Sequence, residues 1–90
     1  MFETLEELNA VIRQRKGSST EESYTHKLLN NKKLSVEKVK EEIAELIEAI
    51  EKNTNKVHEA ADVLYHLMVL LEANDIKIED VMNELKKRQK

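Results

Sequence analysis

Apolar residues recur every three or four positions in four stretches of the chain, and each stretch predicts a helix. Leu5, Leu8, Val11 and Ile12 share one face of the first. Thr4 and Glu7 give it the T-x-x-E spacing of a capping box, and Gly17 is placed to end it. Val36, Val39, Ile43, Leu46, Ile47 and Ile50 form the stripe of the second. Ser35 is its expected N-cap, Leu34 and Val39 its hydrophobic staple, and Asn53 the point where it frays. The third runs from about Thr54 to Ala73, with Asn74 and Asp75 as a turn. The last spans about Ile78 to Lys87, with Val81, Met82 and Leu85 inward and a basic end that suits a helix C-terminus. Residues 17–34 read as a loop, and one so long in a small domain is usually functional or disordered.

The third segment differs from the others. Between Ala60 and Leu71 only Asp62 and His66 are strongly polar, and a helix apolar nearly all round is usually a buried one. Glu59, Asp62 and His66, at i, i+3 and i+7, form one narrow polar strip on it. At ~100° per residue, Glu42 falls on the edge of the second helix's apolar stripe and Glu45 just beyond it. Glu41 and Glu48 point further toward solvent. Sequential helices joined by a short turn tend to be antiparallel neighbours. Glu42, Glu45, Glu59 and Asp62 can then converge at one level.

Such a cluster is costly unless something cationic sits in it. No Lys or Arg occurs from Val57 to Ile76, so the third helix has no local counter-ion. The physical solutions are a basic side chain from elsewhere, raised pKa values or a divalent metal, and oxygen-only ligands favour Mg²⁺ or Mn²⁺ over zinc. Glu-x-x-Glu alone is ordinarily a solvated helix face in a chain with 18 acidic residues. The weight comes from its pairing with Glu59-x-x-Asp62 on an apolar helix. His66 by itself reads as a hydrogen-bonded core residue.

Composition sharpens the class. The 90 residues make one domain, 1–90, with 37% charged residues, one Gly and no Pro, the profile of an all-α fold. A chain this short gains core by forming a homodimer. A net charge of −3 argues against nucleic-acid binding. The absence of Cys rules out disulfides and thiolate metal sites and suits a reducing cytoplasm. An acidic amphipathic segment follows Met1, so no signal peptide is expected, and no apolar run approaches the ~20 residues that span a bilayer.

The acidic motif E-E-x-x-E at 41–45, a 13-residue gap and E-x-x-D at 59–62 resemble the all-α nucleotide pyrophosphohydrolases, the superfamily of MazG-type enzymes and dimeric dUTPases. Within it, ESYTHKLL at 22–29, KVKEEIAELIEA at 38–49 and EAADVLYHLMVLL at 59–71 are similar to the phosphoribosyl-ATP pyrophosphohydrolase family of histidine biosynthesis. The resemblance runs from about Leu5 to Arg88. It implies a four-to-five-helix bundle assembled as a homodimer, and Mg²⁺-dependent cleavage of phosphoribosyl-ATP to phosphoribosyl-AMP and pyrophosphate. It implies Glu42, Glu45, Glu59 and Asp62 as metal ligands, with Glu41 holding a second ion or orienting water. Ser23, Tyr24, Thr25 and Lys27 match the loop expected to meet phosphates or ribose. Arg13 follows Lys27 as a phosphate-binding cation, with Arg15 and Lys16 next. Three departures stand out: Lys40 where the family commonly has Gly, Asn74–Asp75 in place of a turn Gly, and Lys77 in place of a capping Ser or Thr. Ninety residues leave no room for the cyclohydrolase fused to some relatives, so the domain is expected to act alone.

Two other readings remain at this point. One is a related pyrophosphohydrolase acting on (d)NTPs, which the SYTHKLL segment disfavours. The other is a non-catalytic helical interaction module whose acidic cluster is only surface.

Overall fold

Five helices and no strand occur among the described residues, 1–17 and 23–89 of the computed structural model. They are α1 (Glu3–Gly17), α2 (Tyr24–Leu29), α3 (Lys32–Lys52), α4 (Lys56–Ala73) and α5 (Ile78–Arg88). Residues 18–22, within the expected loop, lie outside the described residues. The remainder of that loop is largely helical. Ser23 caps α2, its Oγ accepting from the His26 N–H at 3.1 Å. Six residues make less than two turns, too few to show a period.

α3 starts earlier than its pattern predicts. Asn31 is its N-cap, with Oδ1 accepting from the Leu34 N–H at 3.1 Å. Ser35 therefore lies one turn inside the helix. It is buried, and its hydroxyl donates to the Leu28 carbonyl at 2.6 Å. That carbonyl, near the end of α2, also accepts from the Asn31 N–H at 3.2 Å, so α2 and α3 are joined there by two bonds. Likewise Thr4 lies within α1, whose first N–H groups bond to the Phe2 carbonyl.

The connection between α3 and α4 is three residues long. Asn53 closes α3 in the left-handed region (φ 56°), its N–H reaching the Ala49 and Ile50 carbonyls, and Asn55 precedes α4 with φ 44°. Asn tolerates this region better than most residues. The turn before α5 uses the same device at Asp75 (φ 59°). Lys77 adds no side-chain cap to α5.

The core joins α1, α2 and the second half of α4. Ile12, Leu28, Leu29, Met68, Val69 and Ala73 are buried together, with Leu5, Leu8, Leu34 and Tyr65 packed around them. Each large side chain buried this way contributes roughly 1.5–3 kcal/mol. α3 and α4 form the most extensive helix pair. Yet only Val39 and Ala49 of α3's apolar residues are buried in it, with Leu46 half-buried.

Val36, Ile43, Ile47 and Ile50 are 39–57% exposed, so the expected stripe is only partly covered within one chain. On α4, Val57, Leu64 and Leu67 are also exposed, so that helix is buried mainly over its second half. Met82 and Leu85 of α5 are half-exposed rather than inward, because α5 touches α4 lightly, with Ile78 and Val81 its partly covered residues. No helix among the described residues is long and apolar enough to cross a membrane.

Candidate active site

Two groups of carboxylates face each other across the α3–α4 pair. On α3, Glu41, Glu42 and Glu45 each bring one oxygen within 4.8 Å of the others. On α4, His58, Glu59 and Asp62 do the same. Glu42 feels the charge of Asp62, and Glu59 that of Glu45, the crossed order of antiparallel helices. All four expected ligands thus meet at one level.

Their electrostatics are unfavourable as they stand. Glu42 is 9% exposed, and burial pushes its carboxyl above the ordinary carboxylate range. The neighbouring Glu45 and, more weakly, Asp62 push the same way, while His66 opposes them. Burial also raises Glu59, with repulsion from Glu45 and Asp62 behind it. Glu42 Oε2 and Glu59 Oε2 are buried without any hydrogen-bond partner. Buried polar oxygens normally have partners. Two orphaned oxygens on facing helices, with Glu45 and Asp62 beside them, are a donor set that fits a hard divalent cation.

The outer acids behave as the helical wheel predicts. Glu41 is half-exposed and lies 3.4 Å from Lys38, and Glu48 pairs with Lys52 at 2.5 Å. Lys38 is a cation at the rim of the site that periodicity did not single out.

His66 is buried, with both ring nitrogens engaged. Nδ1 lies 2.8 Å from the Asp62 carbonyl and so donates to it. In the neutral ring Nε2 is then an acceptor, and the Tyr24 hydroxyl donates to it at 2.9 Å. Thr25 bonds to the Tyr65 hydroxyl. The rings of Tyr65 and His66 meet edge-on at 4.9 Å, and Tyr24 stacks at 6.4 Å from Tyr65. α2 is thereby fastened to the helix that carries Glu59 and Asp62. A surface depression of about 370 Å³ is lined by Ser23, Tyr24, His26 and Lys27. His26 joins the expected residues there, whereas Thr25 turns to Tyr65. Lys27 is exposed and makes no ion pair among the described residues.

Arg13 is placed elsewhere. Its guanidinium binds Glu79 through both terminal nitrogens and lies 3.5 Å from Glu72, while Lys16 bonds to the Glu72 carbonyl and Asp75. These contacts join α1 to the α4–α5 turn.

A profile of the phosphoribosyl-ATP pyrophosphohydrolase family matches residues 5–89. The chain belongs to this family. A phosphoribosyl-ATP pyrophosphatase of Clostridium novyi is 44% identical over 93 residues, covering 99% of this chain and 84% of that protein. One from Caulobacter is 41% identical over 91 residues, covering 99% and 85%. The histidine biosynthesis bifunctional protein HisIE of Pyrococcus furiosus is 45% identical over 87 residues, covering 96% of this chain but only 41% of its own length.

Proposed function

We propose that the chain hydrolyses phosphoribosyl-ATP between its α and β phosphates, giving phosphoribosyl-AMP and pyrophosphate in the second step of histidine biosynthesis. Family membership supports this substrate. The observation that carries the chemistry is the pair of buried, unpartnered oxygens on Glu42 and Glu59, flanked by Glu45 and Asp62. These four carboxylates hold Mg²⁺, with Mn²⁺ able to substitute. When bound, such an ion neutralises phosphate charge, orients the chain of phosphates and lowers the pKa of an attacking water. Glu41, exposed beside Glu42 and Glu45, orients that water. Phosphoryl transfer asks mainly for positioning and electrostatics, so no Ser or Cys nucleophile is needed.

Substrate is met by α2. Lys27 takes the outer phosphates, and Ser23 and Tyr24 stand where phosphate or ribose is read, with Thr25 holding α2 to Tyr65 behind them. Arg13 contributes only at the expense of its bonds to Glu72 and Glu79, which ranks it after Lys27. The enzyme works as a homodimer in the cytoplasm. Val36, Ile43, Ile47 and Ile50 form an exposed apolar stripe on α3 that a second copy would cover.

The decisive assay is release of pyrophosphate from phosphoribosyl-ATP by the purified chain with Mg²⁺. Asp62→Asn and Glu45→Gln are expected to lower it at least ~100-fold, the scale of losing a metal-centred charge stabilisation. Their helical circular dichroism should persist. Turnover of dNTPs but not phosphoribosyl-ATP would overturn the substrate assignment, and an active Asp62→Asn enzyme the ligand assignment.

A further inference from the structure

The polar strip on α4 extends one residue beyond Glu59. His58 precedes Asp62 by four residues, and its Nε2 lies 3.4 Å from Asp62 Oδ2. Residues at i and i+4 share a helix face, and a His with a second ligand at this spacing is a recurrent way to grip one ion. The geometry is suitable. Two donors ~2.1 Å from one metal are about 3.0 Å apart at neighbouring octahedral corners and about 3.4 Å apart in a tetrahedron. His58, Glu59 and Asp62 already bring one donor atom each within 4.8 Å of one another.

Read as an ordinary exposed ion pair, the contact between His58 and Asp62 would contribute little. A separate observation points to an ion. Glu42, nine-tenths buried on the facing helix, holds an oxygen without a partner beside Asp62, and Glu59 holds another. The His58 side chain is 72% exposed and has no hydrogen-bond partner other than Asp62 among the described residues, so it can swing onto a cation at little cost.

We propose that His58 is a nitrogen ligand to the cation held by Asp62 and Glu59, and that it raises the site's affinity for Mn²⁺ and Co²⁺ relative to Mg²⁺. The inference rests on the carboxylate cage argued above and adds a ligand of different chemistry to it. Carboxylate oxygens suit Mg²⁺ and Mn²⁺ alike, whereas imidazole adds little for Mg²⁺ and more along the series from Mn²⁺ to Co²⁺. The ion preference of this site is then set partly by a residue outside the E-x-x-D motif.

The test loads the whole protein with one equivalent of Mn²⁺ and records pulsed electron paramagnetic resonance. Imidazole ¹⁴N modulation is expected in the native protein and should vanish in His58→Gln while Mn²⁺ stays bound. By calorimetry, the same substitution should lower the ratio of Co²⁺ to Mg²⁺ affinity about tenfold, the lower end of what altering a metal ligand's surroundings does. Bound Mn²⁺ without ¹⁴N modulation, or modulation that survives in His58→Gln, overturns the role of His58 and leaves the cage intact. Failure of the native protein to bind Mn²⁺ at all overturns the cage and His58 together.

Discussion

The hydroxyl of Tyr24 meets Nε2 of His66 at 2.9 Å, and the other nitrogen of that ring holds the carbonyl of Asp62. A residue of the short α2 helix is thus connected, through one imidazole, to the turn that presents a carboxylate of the site. Tyr24→Phe removes the donor and leaves a buried nitrogen unpaired. We expect a loss of about 1 kcal/mol, the usual contribution of one hydrogen bond, read as a shift in urea midpoint. KM for phosphoribosyl-ATP should rise as well, because the residues of α2 are held by this contact.

Glu42 and Glu59 set a pH dependence that is the reverse of the common one. Both carboxyls are raised above their ordinary value of 4.5 in the folded, ion-free protein. The folded state then holds protons more tightly than the unfolded chain, so stability falls as pH rises from about that value through the raised ones. Urea midpoints in EDTA should decrease across this window, and saturating Mg²⁺ should remove the slope. Glu42→Gln should flatten it too and raise the midpoint of the ion-free protein, because it removes the buried charge that Glu45 and Asp62 repel. A midpoint in EDTA that climbs through the window would contradict the arrangement.

The opposite sign holds at the other end of the molecule. Hydrogen bonds from Arg13 hold Glu79 down at about 2, below its ordinary 4.5. Its contribution is fully present above pH 4.5 and is lost as pH falls toward 2. Arg13→Gln should therefore lower the midpoint more at pH 7, where the contribution is fully present, than at pH 3, which flattens the acid limb of the stability curve; the loss at pH 7 should be small, since the pair is exposed. Equal losses at pH 7 and pH 3 would rule this out.

Ile43 and Ile47, one turn apart and 43% and 52% exposed, are the residues on which the proposed dimer depends. Ile47→Lys should weaken self-association by on the order of 2 kcal/mol or more, the scale of a central interface residue. Sedimentation equilibrium should show native dimers and a substituted chain shifted to monomer at micromolar concentration. A native protein that is monomeric throughout would remove the dimer.

Much of the site was legible because it depends on local spacing. Glu42 and Glu45, like Glu59 and Asp62, are i, i+3 pairs, and short connections between helices leave few ways to arrange them. What decides the rest is far apart in the chain. His66 finds its partner 42 residues away at Tyr24, a relation no periodicity carries. Asn and Ser are comparable as caps; Ser35 is taken up by the carbonyl of Leu28, seven residues back, and the cap falls to Asn31. The apolar stripe of α3 was plain, but spacing says only that Ile43, Ile47 and Ile50 are apolar, not what covers them.

The three residues Asn53, Thr54 and Asn55 carry no charge and belong to neither acidic group. They nevertheless act as the gauge that sets the phase of α4 against α3. One residue more or fewer there would rotate Glu59 and Asp62 by ~100° relative to Glu42 and Glu45 and slide them by ~1.5 Å. Two left-handed asparagines, Asn53 and Asn55, thus keep four acids in step, and the timing of the site is written in an uncharged turn between the helices.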